Sequence, residues 1–124
     1  MTVIKESSVW KDLGIRLEEF RDLQDNWDGR GTEAPNEVAF SAARIVFNEL
    51  MALDLRPDKI VASADNGIGF CFVCGPKYAE IECFNRGSIV VMTRNRAMGE
   101  RHIKEIFLDE VASALNGIKR YLME

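Results

Sequence analysis

The chain has 124 residues, 47% hydrophobic and 29% charged, with a formal net charge of −4 and a pI near 5.1. These values fit one soluble domain with one core, 1–124, and argue against general nucleic-acid binding, whose affinity rests on lysine and arginine meeting phosphates. Three cysteines and no apolar secretory segment at the N-terminus predict free thiols in a reducing compartment, hence the cytoplasm; no apolar run is long enough to span a bilayer, so no membrane partner is expected.

From Ser8 to Gln24, Trp10, Leu13, Leu17, Phe20 and Leu23 recur at spacings of three and four. That period predicts an amphipathic helix with Ser7 or Ser8 as N-cap, although Gly14 weakens it by about 1 kcal/mol. The helix runs into the stretch Asp25-Asn26-Trp27-Asp28-Gly29-Arg30-Gly31-Thr32-Glu33-Ala34-Pro35. Here Asp28-Gly29 and Gly31 allow positive φ and Asn or Asp side chains close local turns, so a sharp elbow is expected. Trp27 reads as an anchor that buries its ring while its N–H finds an acceptor. Pro35 and Asn36 then start a second helix, with Asn36 as N-cap and Phe40 stapled back to Pro35. It extends to about Leu55 with a stripe of Val38, Ala39, Ala42, Ile45, Val46, Leu50 and Leu53, widened by Phe40, Phe47 and Met51, as expected of the most buried helix.

After Arg56-Pro57-Asp58 the period changes. Four short apolar runs, Lys59–Ala64, Ile68–Cys74, Tyr78–Phe84 and Ser88–Arg94, are separated by Asp65-Asn66-Gly67, Gly75-Pro76-Lys77 and Asn85-Arg86-Gly87, the spacing of hairpins in an antiparallel meander. A fifth strand over Ile103–Phe107 follows the loop Asn95–Arg101. A last helix, capped by Asp109, carries Val111, Leu115, Ile118 and Leu122 on one face. The expected fold is α+β: two N-terminal helices, a four- to five-stranded meander and a C-terminal helix.

Asn26-Trp27-Asp28-Gly29-Arg30-Gly31 followed by Pro35, with Asp65-Asn66-Gly67-Ile68 later on, resembles a group of small bacterial and phage proteins that carry an N-W-D-G-x-G-A-x-P elbow and a D-G-G-I segment. The chain departs from that pattern at Arg30 and at Thr32. The resemblance implies the fold and a bacterial or phage origin; the group has no agreed activity, so no catalytic role is carried over.

The run Ile68-Gly69-Phe70-Cys71-Phe72-Val73-Cys74 is apolar on both faces, which asks for a second cover: a helix, a ligand or another subunit. Phe70 and Phe72 share one face, and leaving them in water forfeits roughly 1.5 to 3 kcal/mol each, so self-association through the sheet or its edge is expected. Cys71 and Cys74 have a half-site spacing but point to opposite faces of a strand, and no second ligand pair follows, so the expectation is buried structural thiols, Cys83 included, with no metal and no cofactor.

Glu80 and Glu82 fall on one strand face, either a solvated face or a carboxylate pair for acid/base work or a hard cation. His102, the only histidine, is a surface residue or a general base. Arg94, Arg96, Arg101 and Lys104 surround it in one expected loop, a solvated segment or a grip on a phosphate or a carboxylate-rich partner. Asp28 is a turn-closer or a ligand group.

No nucleophilic constellation is present, so the first functional expectation is a non-enzymatic interaction or regulatory module, a homodimer that also binds another protein. The second is a small-molecule or nucleotide-binding protein, a hydrolase included, with a pocket between elbow and sheet lined by Trp27, Asp28, Arg30, Glu80 and Glu82. The third is a phage inhibitor of a host defence protein.

Overall fold

The computed structural model describes residues 2–124, with side chains from Ser8 onward. The elements follow the order α1 (Thr2–Glu19), a 3₁₀ turn (Phe20–Asp22), α2 (Glu37–Leu53), β1 (Lys59–Ser63), β2 (Gly67–Cys74), β3 (Lys77–Phe84), β4 (Ile89–Asn95), β5 (Glu100–Ile106), a second 3₁₀ turn (Leu108–Glu110) and α3 (Val111–Met123). This is the expected α+β architecture, and all five strands pair antiparallel with their sequence neighbours in one meander.

The ends of the helices differ from the expected ones. α1 starts at Thr2, so Ser7 and Ser8 lie inside it instead of capping it; serine is only mildly unfavourable within a helix, and the preceding residues continue the turn. At its other end the helix tightens into the 3₁₀ turn at Phe20, and Leu23 is already extended. Asn36 does cap α2, accepting from the Ala39 N–H at 3.0 Å, and Asp54 in the left-handed conformation closes it. The last helix is entered differently: the Glu110 carboxylate, and not Asp109, accepts from the Phe107 N–H at 2.9 Å.

All three helices pack on one face of the sheet. α2 lies on β2 and β3 and touches α3, while α1 reaches β1 and α3 reaches β3. The strand register sets what they meet. Ile60, Phe70, Ile81 and Val91 form one row across the sheet, and Phe72, Ala79 and Thr93 form the next. Phe70 and Phe72 are fully buried there, in one core cluster with Ala43, Val46 and Leu50 of the central helix. The two phenylalanines therefore need no second subunit: the face they share is the internal core. On α2 the apolar stripe is narrower than its sequence suggests. Ala39, Phe40, Ala43, Val46, Phe47 and Leu50 are buried, while Val38, Ile45 and Met51 lie on the outer side, at least 40% exposed.

The opposite face of the sheet is the one that faces no helix. Its rows are Lys59–Cys71–Glu80–Met92–Ile103, then Val61–Gly69–Glu82–Val90–Glu105, with Val73–Tyr78–Arg94–Arg101 beside them. Every residue that made β2 read as apolar on both sides is accounted for. One side is core, and the other carries Gly69 and Cys71, both buried, and Val73, exposed, on the face that no helix among the described residues covers. No helix among the described residues is long and apolar enough to cross a membrane.

Candidate functional site

Glu80 and Glu82 stand two residues apart on β3, so strand alternation places both carboxylates at the centre of the helix-free face. What surrounds them was not legible from spacing. Directly beside Glu82 on β2 is Gly69, where an added Cβ would come within 3.4 Å of both the Glu82 Cγ and the Val61 side chain. The missing side chain leaves a gap through which Glu82 leans across β2 to β1, and there its Oε2 accepts from the Ser63 hydroxyl at 2.7 Å. Ser63 in turn accepts from the Asp65 N–H at 3.0 Å, which fixes its hydroxyl toward the carboxylate. On the other side, the Tyr78 hydroxyl donates to Glu80 Oε2 at 2.9 Å. A polar chain thus runs from Ser63 through Glu82 and Glu80 to Tyr78 across three strands.

The electrostatics of this chain follow from its position. Burial is the main reason that the Glu82 carboxyl titrates above its ordinary range; the Ser63 hydrogen bond opposes this, and the nearby Glu80 charge adds to it. Tyr78 is pushed upward too, first by burial and then by its contacts with Cys71 and Glu80, so it remains a donor. The Cys71 thiol is raised chiefly by burial, and Cys83, on the core side, is pushed up to about 12 for the same reason. Both stay protonated and unreactive at neutral pH. Cys74 departs from expectation: it is exposed at the end of β2, while Cys71 and Cys83 are buried. No cluster of three or more metal-ligating side chains occurs among the described residues.

The elbow is a second polar centre, at the end of the sheet. Asn26, Gly29 and Gly31 all take positive φ. The Asn26 side chain accepts from the Gly31 N–H at 2.7 Å, and Asp28 accepts from the Arg30 N–H and from the Thr32 hydroxyl. The Thr32 bond is the first reason that the Asp28 carboxyl lies below its usual range. Asp28 is therefore engaged in closing the turn. Trp27 is half-buried, with its indole N–H 3.4 Å from the Glu33 carbonyl, so it anchors less than a fully enclosed ring would.

The elbow is held by two asparagines that arrive from distant turns. Asn66 of the β1–β2 turn accepts from the Glu33 N–H at 2.8 Å. Asn85 of the β3–β4 turn accepts from the Asn36 N–H at 2.9 Å and donates to the Ala34 carbonyl at 3.0 Å. The Asn85 N–H donates to the Asn66 carbonyl, which joins the two turns. The two motifs noted in the sequence thus meet in space. Within Asp65-Asn66-Gly67 it is Asn66, at φ 68, that takes the left-handed position, giving a three-residue turn between Ser63 and Gly67. Gly67 is needed for closeness instead: a Cβ there would lie 2.2 Å from the Cys83 carbonyl oxygen.

The remaining expected site residues do not form one patch. β5 begins at Glu100, so Arg101, His102 and Lys104 belong to a strand and alternate between faces. Arg94 and Arg101 pair on the helix-free face, whereas His102 lies opposite Thr93 on the other face. Arg96 stays in the loop and donates to the Gly75 carbonyl at 2.9 Å. Among the described residues no hydrogen bond or ion pair links Trp27, Asp28 or Arg30 to Glu80 or Glu82. The surface clefts between α1 and α2 and between α3 and the β4–β5 hairpin are lined by none of these five residues.

The fold and the site together define an antiparallel meander with helices on one face and a carboxylate pair on the other. Compared with known proteins, the chain matches no family model, no curated protein and no solved structure.

Proposed function

We propose that this protein is a non-enzymatic interaction module, a homo-oligomer that offers the helix-free face of its sheet to another protein. One observation carries the reading. The face bears Val61, Val73, Val90, Met92 and Ile103 around the Glu80–Glu82 pair, and among the described residues no helix packs over it. Val73 and Ile103 are 45% and 58% exposed there, and exposed apolar side chains grouped on one face are characteristic of an interface. The partner's chemistry follows from the centre of the patch. Covering two carboxylates with purely apolar groups is costly, so the complementary surface is apolar with a lysine, arginine or amide donor directed at the pair. The half-buried, hydrogen-bonded state of the pair supports recognition over catalysis, because acid/base work requires a cleft that holds a substrate and excludes water. The likeness of the elbow to small bacterial and phage proteins supports an origin of that kind.

The test is paired affinity capture with four forms of the chain: wild type, Val90→Asp, Met92→Asp and the control Ile15→Asp. Ile15 is 51% exposed on α1, on the far side of the molecule from this face. A partner held by wild type and by the Ile15 variant, and lost by both sheet variants at unchanged melting temperature, is the expected result. Equal capture by all four forms would overturn the assignment of the face.

A further inference from the structure

We infer that two copies of this chain join edge to edge along β5, making one continuous ten-stranded sheet and one doubled helix-free face. The inference deepens the interaction-module reading and rests on it. β5 is the last strand of the meander and pairs only with β4, so its outer row of N–H and C=O groups has no strand partner. Glu100 to Glu105 are all exposed, Ile103 among them at 58%. An open edge of this length is a template for another strand unless its side chains oppose the pairing.

The side chains of β5 favour one pairing of the strand with itself. Arg101, Ile103 and Glu105 point to the helix-free face, with opposite charges two residues either side of the isoleucine. A twofold axis perpendicular to the sheet at Ile103 sets Ile103 against Ile103 of the second copy. The same operation sets Arg101 against Glu105 of the second copy, and Glu105 against its Arg101, giving two opposite-charge cross-strand pairs. The neighbouring registers lose this match. Centred on His102, the pairing puts Arg101 against Ile103; centred on Lys104, it puts Ile103 against Glu105. On the other face the Ile103-centred register brings His102 opposite Lys104, which adds nothing attractive, so the choice is made by the helix-free face. Met92 lies beside Ile103 on that face, and the joined edge would run the apolar row Met92, Ile103, Ile103, Met92 without a break.

The test is a charge swap read by sedimentation equilibrium and native mass spectrometry. Wild type is expected to be a dimer at micromolar concentration. Arg101→Glu and Glu105→Arg each turn both attractive pairs into repulsive ones, and each is expected to weaken the dimer by at least about tenfold. A 1:1 mixture of the two single variants restores both pairs and is expected to form the heterodimer; the double swap Arg101→Glu, Glu105→Arg is expected to recover the homodimer. Both positions are solvent-exposed, so melting temperatures should stay near wild type. A monomeric wild type, single variants that dimerise like wild type, or a mixture that stays monomeric would each overturn the edge pairing. A monomer that still captures its partner through Val90 and Met92 would remove this inference and the homo-oligomer with it, and leave the partner-binding face standing; a swap-sensitive dimer that captures nothing would keep the edge pairing and remove the partner-binding face.

Discussion

Replacing Asn85 by alanine tests whether the elbow is held by polar ties from distant turns more than by its tryptophan. The substitution removes the acceptor for the Asn36 N–H and the donor to the Ala34 carbonyl. Each such bond contributes about 0.5 to 1.5 kcal/mol net, and a partly buried carbonyl left without a donor adds to the loss, so the expected cost is about 2 to 3 kcal/mol. In a domain of this size that lowers Tm by roughly 6 to 12 °C. Asn85→Asp keeps the acceptor and loses the donor, and should fall about halfway. Trp27→Ala provides the comparison. Because the ring is only half-buried, its removal should cost about 1 to 2 kcal/mol, well under the 3 to 5 kcal/mol of an enclosed aromatic. Thermal melts followed by circular dichroism give the ranking, and hydrogen exchange of the Glu33 and Asn36 amides localises the change. An Asn85→Ala melt within about a degree of wild type, beside a large loss in Trp27→Ala, would refute the reasoning.

Gly67→Ala forces a Cβ to within 2.2 Å of the Cys83 carbonyl and 2.9 Å of the Phe84 Cα, both backbone positions of the paired strand; a loss of about 3 kcal/mol in urea melts is expected, and a neutral result would mean that β2 and β3 separate freely at that end. The raised Glu82 carboxyl sets a pH dependence. Its native form binds a proton more readily than the unfolded chain, so wild-type stability should fall as pH rises from the ordinary value near 4.5 through the raised native value, then level. Glu82→Gln keeps the acceptor for Ser63 and should lack that fall, being more stable than wild type at neutral pH; parallel stability-versus-pH curves for the two proteins would contradict the burial of Glu82. Asp28 has the opposite sign: its lowered carboxyl contributes stability above the ordinary carboxylate value that is lost as pH falls through the native one, and Asp28→Asn should remove that acid-side loss in the same melts.

Much of this architecture was readable from periodicity. The three-and-four spacing of Leu13, Leu17 and Phe20, and the turn residues at Asp65-Asn66-Gly67 and Asn85-Arg86-Gly87, place the helices and hairpins because local backbone preference and burial agree there. The expectation failed where a partner lay far along the chain. Nothing in the spacing of Glu80 and Glu82 pointed to Ser63, 19 residues before Glu82; the one available signal was Gly69, a glycine inside a strand, which marks a close approach. Asn85 lies 51 residues from the Ala34 carbonyl that it reaches. The start of β5, Glu100 and Arg101, looks like loop in the sequence because an exposed edge strand carries charges at nearly every position and shows no alternation. The covering of Phe70 and Phe72 is not legible for a related reason: the sequence shows two apolar faces on β2, and only tertiary packing decides that all three helices gather on one of them.

Native mass spectrometry of the purified wild-type chain at low micromolar concentration tests the interaction-module reading most directly, because one spectrum reports both subunit count and bound mass. The account predicts two copies at the mass of the bare chain. A single copy carrying one stoichiometric small molecule would contradict it and would make the Glu80–Glu82 pair a ligand site.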